Sequence, residues 1–232
     1  LPILIQLGED LKKLNIDKNS IEMLKGLMAH SIALLNSGQI ESALKESTPL
    51  LENQTRILGP KHPDTLKNRN NIAYLLGSLG QLKPALEAYN SLLEDQTRIL
   101  GSDHQILLIT RLNLAYFLGQ SGQIESALEA CSSLLKDQTR ILGPDHLDIL
   151  GTRRVLVRLL GKSGQIESAL EECASLLKDQ TRILKTDHPS TMLTHSSMAN
   201  LLIQSGQIES ALETFISLLE NQSQILGPEH PN

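Results

Sequence analysis

The sequence predicts an all-α fold, a right-handed superhelix of about five antiparallel helix pairs, from three observations. The dipeptide GQ recurs every 42 residues, at Gly38, Gly80, Gly122, Gly164 and Gly206. GQIESAL is repeated verbatim at residues 38–44, 122–128, 164–170 and 206–212, and QTRIL begins at 54, 96, 138 and 180. No segment shows the polar–apolar alternation that marks a half-buried strand. A fixed period of this kind is typical of a helical repeat protein, in which stacked copies bury a continuous core.

Each copy is predicted to contain two helices. In the third copy, apolar residues such as Leu114 and Leu118 line one face of a first helix, and Gly122 fits the position just after its end. A second helix then runs to Gly143 and Pro144, where Gly can cap a helix and Pro cannot continue one. The next first helix opens at motifs such as HPDT (62–65), with Pro near its first turn and Asp, Ser or Thr near the cap.

These boundaries predict a remnant second helix of an earlier repeat plus a linker in residues 1–20, followed by one solenoid domain at 21–232. Its repeats are expected at approximately 21–60, 61–102, 103–144, 145–186 and 187–228. The sequence lacks an initial Met and stops at GPEHPN, where another copy would begin, so we expect a piece of a longer array.

Composition excludes several classes of function. A net charge of −5 argues against nucleic acid as the main partner, because proteins that bind phosphate backbones carry a basic face. No apolar run approaches the roughly 20 residues that span a bilayer, so no membrane partner is expected. Two cysteines, Cys131 and Cys173, are too few for a disulfide scaffold, and a cytoplasmic location is predicted.

No catalytic or metal constellation is found. A His closes each repeat, at His62, His104, His146, His188 and His230, but neighbouring copies lie on the order of 10 Å apart, whereas zinc ligands lie about 2 Å from one ion. These residues are therefore expected to pack or cap between helices. No phosphate-binding glycine loop, nucleophilic Ser motif or HExxH motif is present. We expect no metal, no cofactor and no enzymatic activity.

The repeat resembles a known family. With Gly122 as position 15, position 8 holds Ala73, Ala115, Val157 and Ala199, position 20 always holds Ala, and position 27 always holds Leu. This pattern is similar to the tetratricopeptide repeat, and NNIAYLLGSLGQ (70–81) followed by LGSDH looks like its kinesin light chain type. The long repeat also occurs in bacterial and fungal multidomain proteins, including nucleotide-binding signalling ATPases. Position 4 departs from the pattern, since Arg69, Arg111 and Arg153 replace an aromatic residue and are expected to pair with an acid or helix end in the next unit.

The resemblance implies that first helices line a concave groove, and positions 5, 9 and 13 vary there between copies. Arg154, Arg158 and Lys162 form a basic row on one helix face, because residues four apart are neighbours. A shelf of apolar and polar residues is expected beside this row, formed by Asn70, Tyr74, Leu112 and Tyr116. Asn200 is expected to join the groove from the first helix of the fifth copy. Such a groove suits an acidic peptide with an apolar anchor. The alternatives are a solvated charged row and drift between duplicated copies.

The resulting functional hypothesis is a module that binds a peptide or protein segment. It would belong to a cargo adaptor, or to the sensor end of a signalling ATPase, and the near-identical copies favour the sensor because they indicate recent duplication. A heptad coiled coil in the parent chain would indicate the adaptor, and a GxxxxGK[ST] loop the sensor. A structural array that self-associates end to end is the hypothesis from another class.

Overall fold

The computed structural model describes residues 21–216, which contain helices joined by short turns and no strand. Its contacts group into two compact units, Leu1–Ser121 and Gly122–Asn232. The predicted remnant helix at 1–20, the last position-27 leucine, Leu218, and the last periodic histidine, His230, lie outside the described residues. None of the described helices is long and apolar enough to cross a membrane.

The first unit contains five described helices: α1 (Ile21–Asn36), α2 (Ile40–Ile57), α3 (Pro63–Ser78), α4 (Leu82–Leu100) and α5 (Gln105–Gln120). The second contains α6 (Ile124–Leu142), α7 (Leu147–Lys162), α8 (Ile166–Leu184) and α9 (Pro189–Gln204), and residues 208–216 are also helical. Within each unit, these nine helices pack against their neighbours in sequence, and α3 also contacts α5, as α7 contacts α9. This arrangement confirms the all-α fold of packed helix pairs.

A histidine is the N-cap residue of α3, α5, α7 and α9, the first helices of four repeats. The Nδ1 atoms of His62, His104, His146 and His188 each accept a hydrogen bond from the backbone N–H two residues later, at 3.1–3.2 Å. The bond satisfies one of the N–H groups that a helix start leaves without a partner. Capping by His is thus confirmed, and Pro63 and Asp64 lie in the first turn after the cap, where the sequence predicted Pro and an Asp, Ser or Thr.

The constant Ala and Leu positions of the repeat lie in the core. The position-20 residues Ala43, Ala85, Ala127 and Ala169 are fully buried, and the position-27 residues Leu92, Leu134 and Leu176 are too. Their burial explains why these positions are constant, since a packed interior tolerates neither added nor lost volume.

Cys131 and Cys173 are buried free thiols, as expected. Burial raises the pKa of Cys131 to about 11, and burial with the nearby Glu172 carboxylate raises the pKa of Cys173 to about 12. Both thiols stay protonated at neutral pH, where they act as small apolar side chains rather than nucleophiles.

Candidate functional site

The predicted site residues lie on the first helices of four repeats. In the first unit, Asn70 and Tyr74 are on α3, and Leu112 and Tyr116 are on α5, all half-buried. The Nδ2 of Asn113 donates a hydrogen bond to Oδ1 of Asn70 at 3.3 Å, which joins α5 to α3. Asn70 therefore has a structural partner within the unit.

Four rings pack together between α3, α4 and α5. The ring of Phe117 meets Tyr74 edge to face at 5.6 Å between centroids, meets Tyr116 edge to face at 5.0 Å, and stacks on Tyr89 at 5.9 Å. We call Tyr74, Tyr89, Tyr116 and Phe117 the aromatic cluster; it holds four of the five aromatic residues in the chain. The predicted shelf residues Tyr74 and Tyr116 are thus half-buried because they cover Phe117.

Gly77 provides the floor of the aromatic cluster. A Cβ atom at this position would lie 2.3 Å from Cε1 of Phe117, so the ring fills the space that any other residue would need. Tyr89 is fully buried behind Phe117, and burial raises the pKa of its hydroxyl far above the ordinary range.

In the second unit, a cavity of about 430 Å³ opens between α7 and α9. It is lined by Val157, Arg158, Gly161 and Lys162 from α7 and by Ser197, Asn200, Leu201 and Gln204 from α9. We call it the α7/α9 pocket. Buried Val157 and Leu201 form an apolar floor, and Arg158, Lys162 and Asn200 are exposed around it. The pocket therefore brings together three of the eight predicted site residues.

Arg154 lies at a different place. It is half-buried and lines a smaller cavity of about 220 Å³, with Leu150 and Gly151 from α7, Gln180 and Leu184 from α8, and His188 and Ser190 at the start of α9. The basic row predicted from the spacing of Arg154, Arg158 and Lys162 is continuous along α7, but its members line two cavities instead of one.

Two of the position-4 arginines, Arg69 and Arg153, hold helix pairs together. In α3, Arg69 Nη1 lies 2.7 Å from Asp95 Oδ2 in α4. In α7, Arg153 Nε and Nη1 each lie 2.6 Å from α8 carboxylates, those of Glu172 and Asp179. Pairing with an acid was predicted correctly, but the partner is in the second helix of the same repeat and not in the next unit.

Hydrogen bonds across these pairs shift the pKa of Asp95 and of Arg153. The Arg69 hydrogen bond holds the pKa of Asp95 below its ordinary value. Burial lowers the pKa of Arg153, but the hydrogen bonds that Arg153 donates to the Glu172 and Asp179 carboxylates outweigh it, and the net shift is upward. Arg69 and Arg153 are both engaged in ion pairs within the fold, so they are structural residues.

Sequence reasoning missed the residues that shape the pocket. Gly161 and Leu201 line it, and neither varies in the way that drew attention to positions 5, 9 and 13. A signal was present, because Leu75, Phe117, Leu159 and Leu201 occupy one repeat position and only Phe117 carries a ring. Within the described residues, no three metal-ligating side chains lie close enough to hold an ion.

Comparison with known families identifies the class. Two models of the tetratricopeptide repeat match residues 23–98 and 107–148, which together make up just over half of the chain. The chain belongs to the tetratricopeptide repeat family. No curated protein matches the sequence.

Several solved structures share the fold of this chain. A Podosopora anserina protein of kinesin light chain type, with nearly identical TPR-like repeats, is 23% identical with a TM-score of 0.69, over 87% of this chain and 96% of its own. BtubC (BKLC) of P. vanneervenii is 15% identical with a TM-score of 0.74, over 100% of this chain and 92% of its own. Bacillus thuringiensis PlcR, solved with the peptide PapR7 and DNA, is 15% identical with a TM-score of 0.62, over 93% of this chain and 77% of its own. At these identities the likeness extends to the fold alone.

Proposed function

We propose that this chain is a protein-interaction module that binds a peptide or protein segment in the groove between its first helices. The observation that carries the proposal is the α7/α9 pocket, where Arg158, Lys162 and Asn200 surround an apolar floor. Cations and amide groups around an apolar pocket suit a segment with acidic residues and an apolar anchor. The presence of a peptide in the PlcR structure supports the same use of this fold.

The module is proposed to be part of a larger adaptor or sensor protein and to act in the cytoplasm without catalysis or a cofactor. Its four capping histidines accept helix N–H groups, and its two cysteines are protonated and buried. These six residues therefore serve structure in the described repeats.

A library of short displayed peptides tests the proposal. We expect selection on the wild-type chain to enrich acidic peptides. The double variant Arg154→Ala with Arg158→Ala should bind them about 10-fold more weakly or worse, because each partly exposed Arg–carboxylate contact contributes about 1 kcal/mol and 1.4 kcal/mol is one decade in affinity. Raising the ionic strength should weaken wild-type binding in the same direction.

Glu129→Ala is the control, because Glu129 is exposed on α6, a second helix. It should leave affinity unchanged. Selected peptides that bind the double variant as tightly as wild type at low salt would show that the groove is not their site.

A second candidate function is end-to-end self-association. Ile208 and Leu212 are 52% and 56% exposed, whereas Ile166 and Leu170, one repeat earlier, are partly buried against the core of the second unit. An apolar face of this kind can pack against another copy. Light scattering at two concentrations tests it: a molar mass that rises with concentration would favour self-association, and a constant monomer mass would exclude it.

A further inference from the structure

The smaller cavity that Arg154 lines contains polar side chains without partners. We call it the Arg154 cavity; it lies between α7, the end of α8 and the start of α9. Gln180 lines it and is 1% exposed, and its Oε1 atom accepts no hydrogen bond from the described part of the chain. Arg154 is half-buried and makes no hydrogen bond or ion pair with any other described residue. Because a buried acceptor without a donor is costly, Gln180 and Arg154 together indicate a place for a ligand.

Two further hydrogen-bond donors line the Arg154 cavity. The Nδ1 atom of His188 accepts the N–H of Ser190 at 3.1 Å, so the hydrogen of the neutral imidazole ring is on Nε2, which is a donor. The hydroxyl of Ser190 makes no hydrogen bond with another described residue. With Arg154, the cavity thus has a cation, a ring N–H and a hydroxyl, and these groups suit an anionic oxygen ligand.

The other side chains of the Arg154 cavity are apolar. Leu147 and Leu150 come from α7, and Leu184 comes from α8. The volume of about 220 Å³ is below the roughly 300–1,000 Å³ of pockets that hold drug-sized ligands. The cavity therefore suits a small molecule that joins an anionic group to a short aliphatic chain.

Comparison with the third copy shows what is particular to the fourth. At the equivalent places, 42 residues earlier, Ile109 stands for Gly151, Leu112 for Arg154 and Asp148 for Ser190, whereas Gln138 and His146 match Gln180 and His188. The Oε1 atom of Gln138 is unpaired as well, so the glutamine alone does not distinguish the two copies. At one place, the fourth copy has lost a large side chain, gained a cation and lost an acid. All three differences favour an anion.

We propose that the Arg154 cavity binds a small 2-hydroxy carboxylic acid with a branched aliphatic chain. Its carboxylate accepts hydrogen bonds from Arg154 and Ser190, its 2-hydroxyl donates to Oε1 of Gln180, and its chain packs against Leu150 and Leu184. An amino acid with the same chain fits less well, because its ammonium group would lie beside Arg154 with no carboxylate among the residues that line the cavity. The proposal goes beyond the proposed peptide function and adds a small-molecule site to it.

Three probes with one carbon skeleton test the proposal: 2-hydroxy-4-methylpentanoate, 4-methylpentanoate and leucine. Amide chemical-shift titration of the isotope-labelled chain measures their affinities. We expect the hydroxy acid to bind about 10-fold more tightly than 4-methylpentanoate, because only its hydroxyl supplies the donor that Gln180 lacks. Leucine should bind more weakly than the hydroxy acid. The amides that shift should include those of Gln180 and Ser190.

The third copy supplies variants that are expected to fold. Ser190→Asp and Gly151→Ile introduce the side chains that Asp148 and Ile109 have at the equivalent places. Asp is favourable in the first turn of a helix, so Ser190→Asp should be as stable as wild type. It should nevertheless weaken binding of the hydroxy acid by at least about 10-fold, because like charges would face each other. Gly151→Ile should weaken binding by occupying the cavity.

Arg154→Leu, which introduces the side chain of Leu112, removes the cation and should also weaken binding of the hydroxy acid. Lys178→Leu is its matched control, because it too replaces a positive charge with leucine, at an exposed residue of α8 that does not line the cavity. It should bind the hydroxy acid as wild type does.

Equal affinity of wild type for the hydroxy acid and 4-methylpentanoate would overturn the proposal, and so would binding that persists in folded Ser190→Asp or Arg154→Leu. If no probe binds, the cavity is not a site for such acids and the proposal is wrong. Shifts at Arg158 and Lys162 in place of Gln180 and Ser190 would put the acid in the α7/α9 pocket and would also overturn it. Each of these outcomes leaves the acidic-peptide function to the library selection, which uses no hydroxy acid.

Discussion

Lys185 adopts a backbone conformation that its sister repeats assign to glycine. It caps the C-terminus of α8 with φ 77° and ψ 166°, close to the 87° and 158° of Gly143 at the equivalent place. A residue other than glycine is strained at this positive φ by roughly 1–3 kcal/mol. Lysine at this position therefore lowers the stability of the fourth repeat.

Lys185→Gly should stabilise the chain by about 1 kcal/mol, the relief of strain less the greater freedom of glycine in the unfolded chain. The expected result is a higher midpoint of urea unfolding. Gly143→Lys is the reverse change and should lower the midpoint. An unchanged or lower midpoint for Lys185→Gly would show that the conformation carries no strain.

Gly77 and Gly161 form a matched pair for packing. Gly77→Ala should destabilise by about 2 kcal/mol, because overpacking costs about 1–3 kcal/mol and the buried ring of Phe117 cannot move away from Tyr89. Gly161→Ala should be neutral or stabilising, since Leu201 can adjust and Ala favours a helix by about 1 kcal/mol over Gly. Thermal unfolding measures the change in melting temperature of each variant. Equal changes would contradict the view that Gly77 is more tightly packed than Gly161.

At the scale of the helix pair, the Arg69–Asp95 contact between α3 and α4 makes stability depend on pH. The pKa of Asp95 is lower in the folded chain than in the unfolded chain because Arg69 stabilises the carboxylate. Its contribution to stability is therefore present above the unfolded pKa, about 3.9, and is lost as the pH falls through the folded value.

Asp95→Asn should consequently be less stable than wild type at pH 7, and the difference should shrink as the pH falls below about 4. Urea unfolding of both proteins across that range measures it. Glu94→Gln, at the exposed neighbouring position, should unfold close to wild type at pH 7. A difference between Asp95→Asn and wild type that stays constant with pH would show that the pair does not link protonation to folding.

At the scale of the whole molecule, the role of the periodic histidines as helix caps predicts that the chain does not bind zinc or nickel. Each of the four described caps uses its Nδ1 atom to hold its own helix start, and in the described repeats no three ligand side chains converge. The untagged protein should contain no stoichiometric zinc or nickel by elemental analysis, and added zinc should not raise its melting temperature. Stoichiometric metal in the purified chain would contradict this.

The repeat pattern allowed the sequence to predict the helix pairs, the Gly positions and the constant Ala and Leu positions of the core. Ala85 and Leu92 are buried where their period placed them, because a position that must fill the same space in every copy is constrained in every copy. The capping role of His62 was predictable for the same reason, although the choice of His over Asp as the cap was not.

The sequence by itself determined that Arg158, Lys162 and Asn200 belong to one class of variable surface positions. Tertiary structure decided that they surround a pocket and that Arg154 lines another. It also decided that Arg69 pairs within its own repeat and that Tyr74 and Tyr116 cover Phe117. The physical reason is that the volume between helices depends on side chains from two or three repeats together. The ring of Phe117 fills the space next to Gly77, whereas Gly161 lines an open cavity, and this difference arises only once the helices pack.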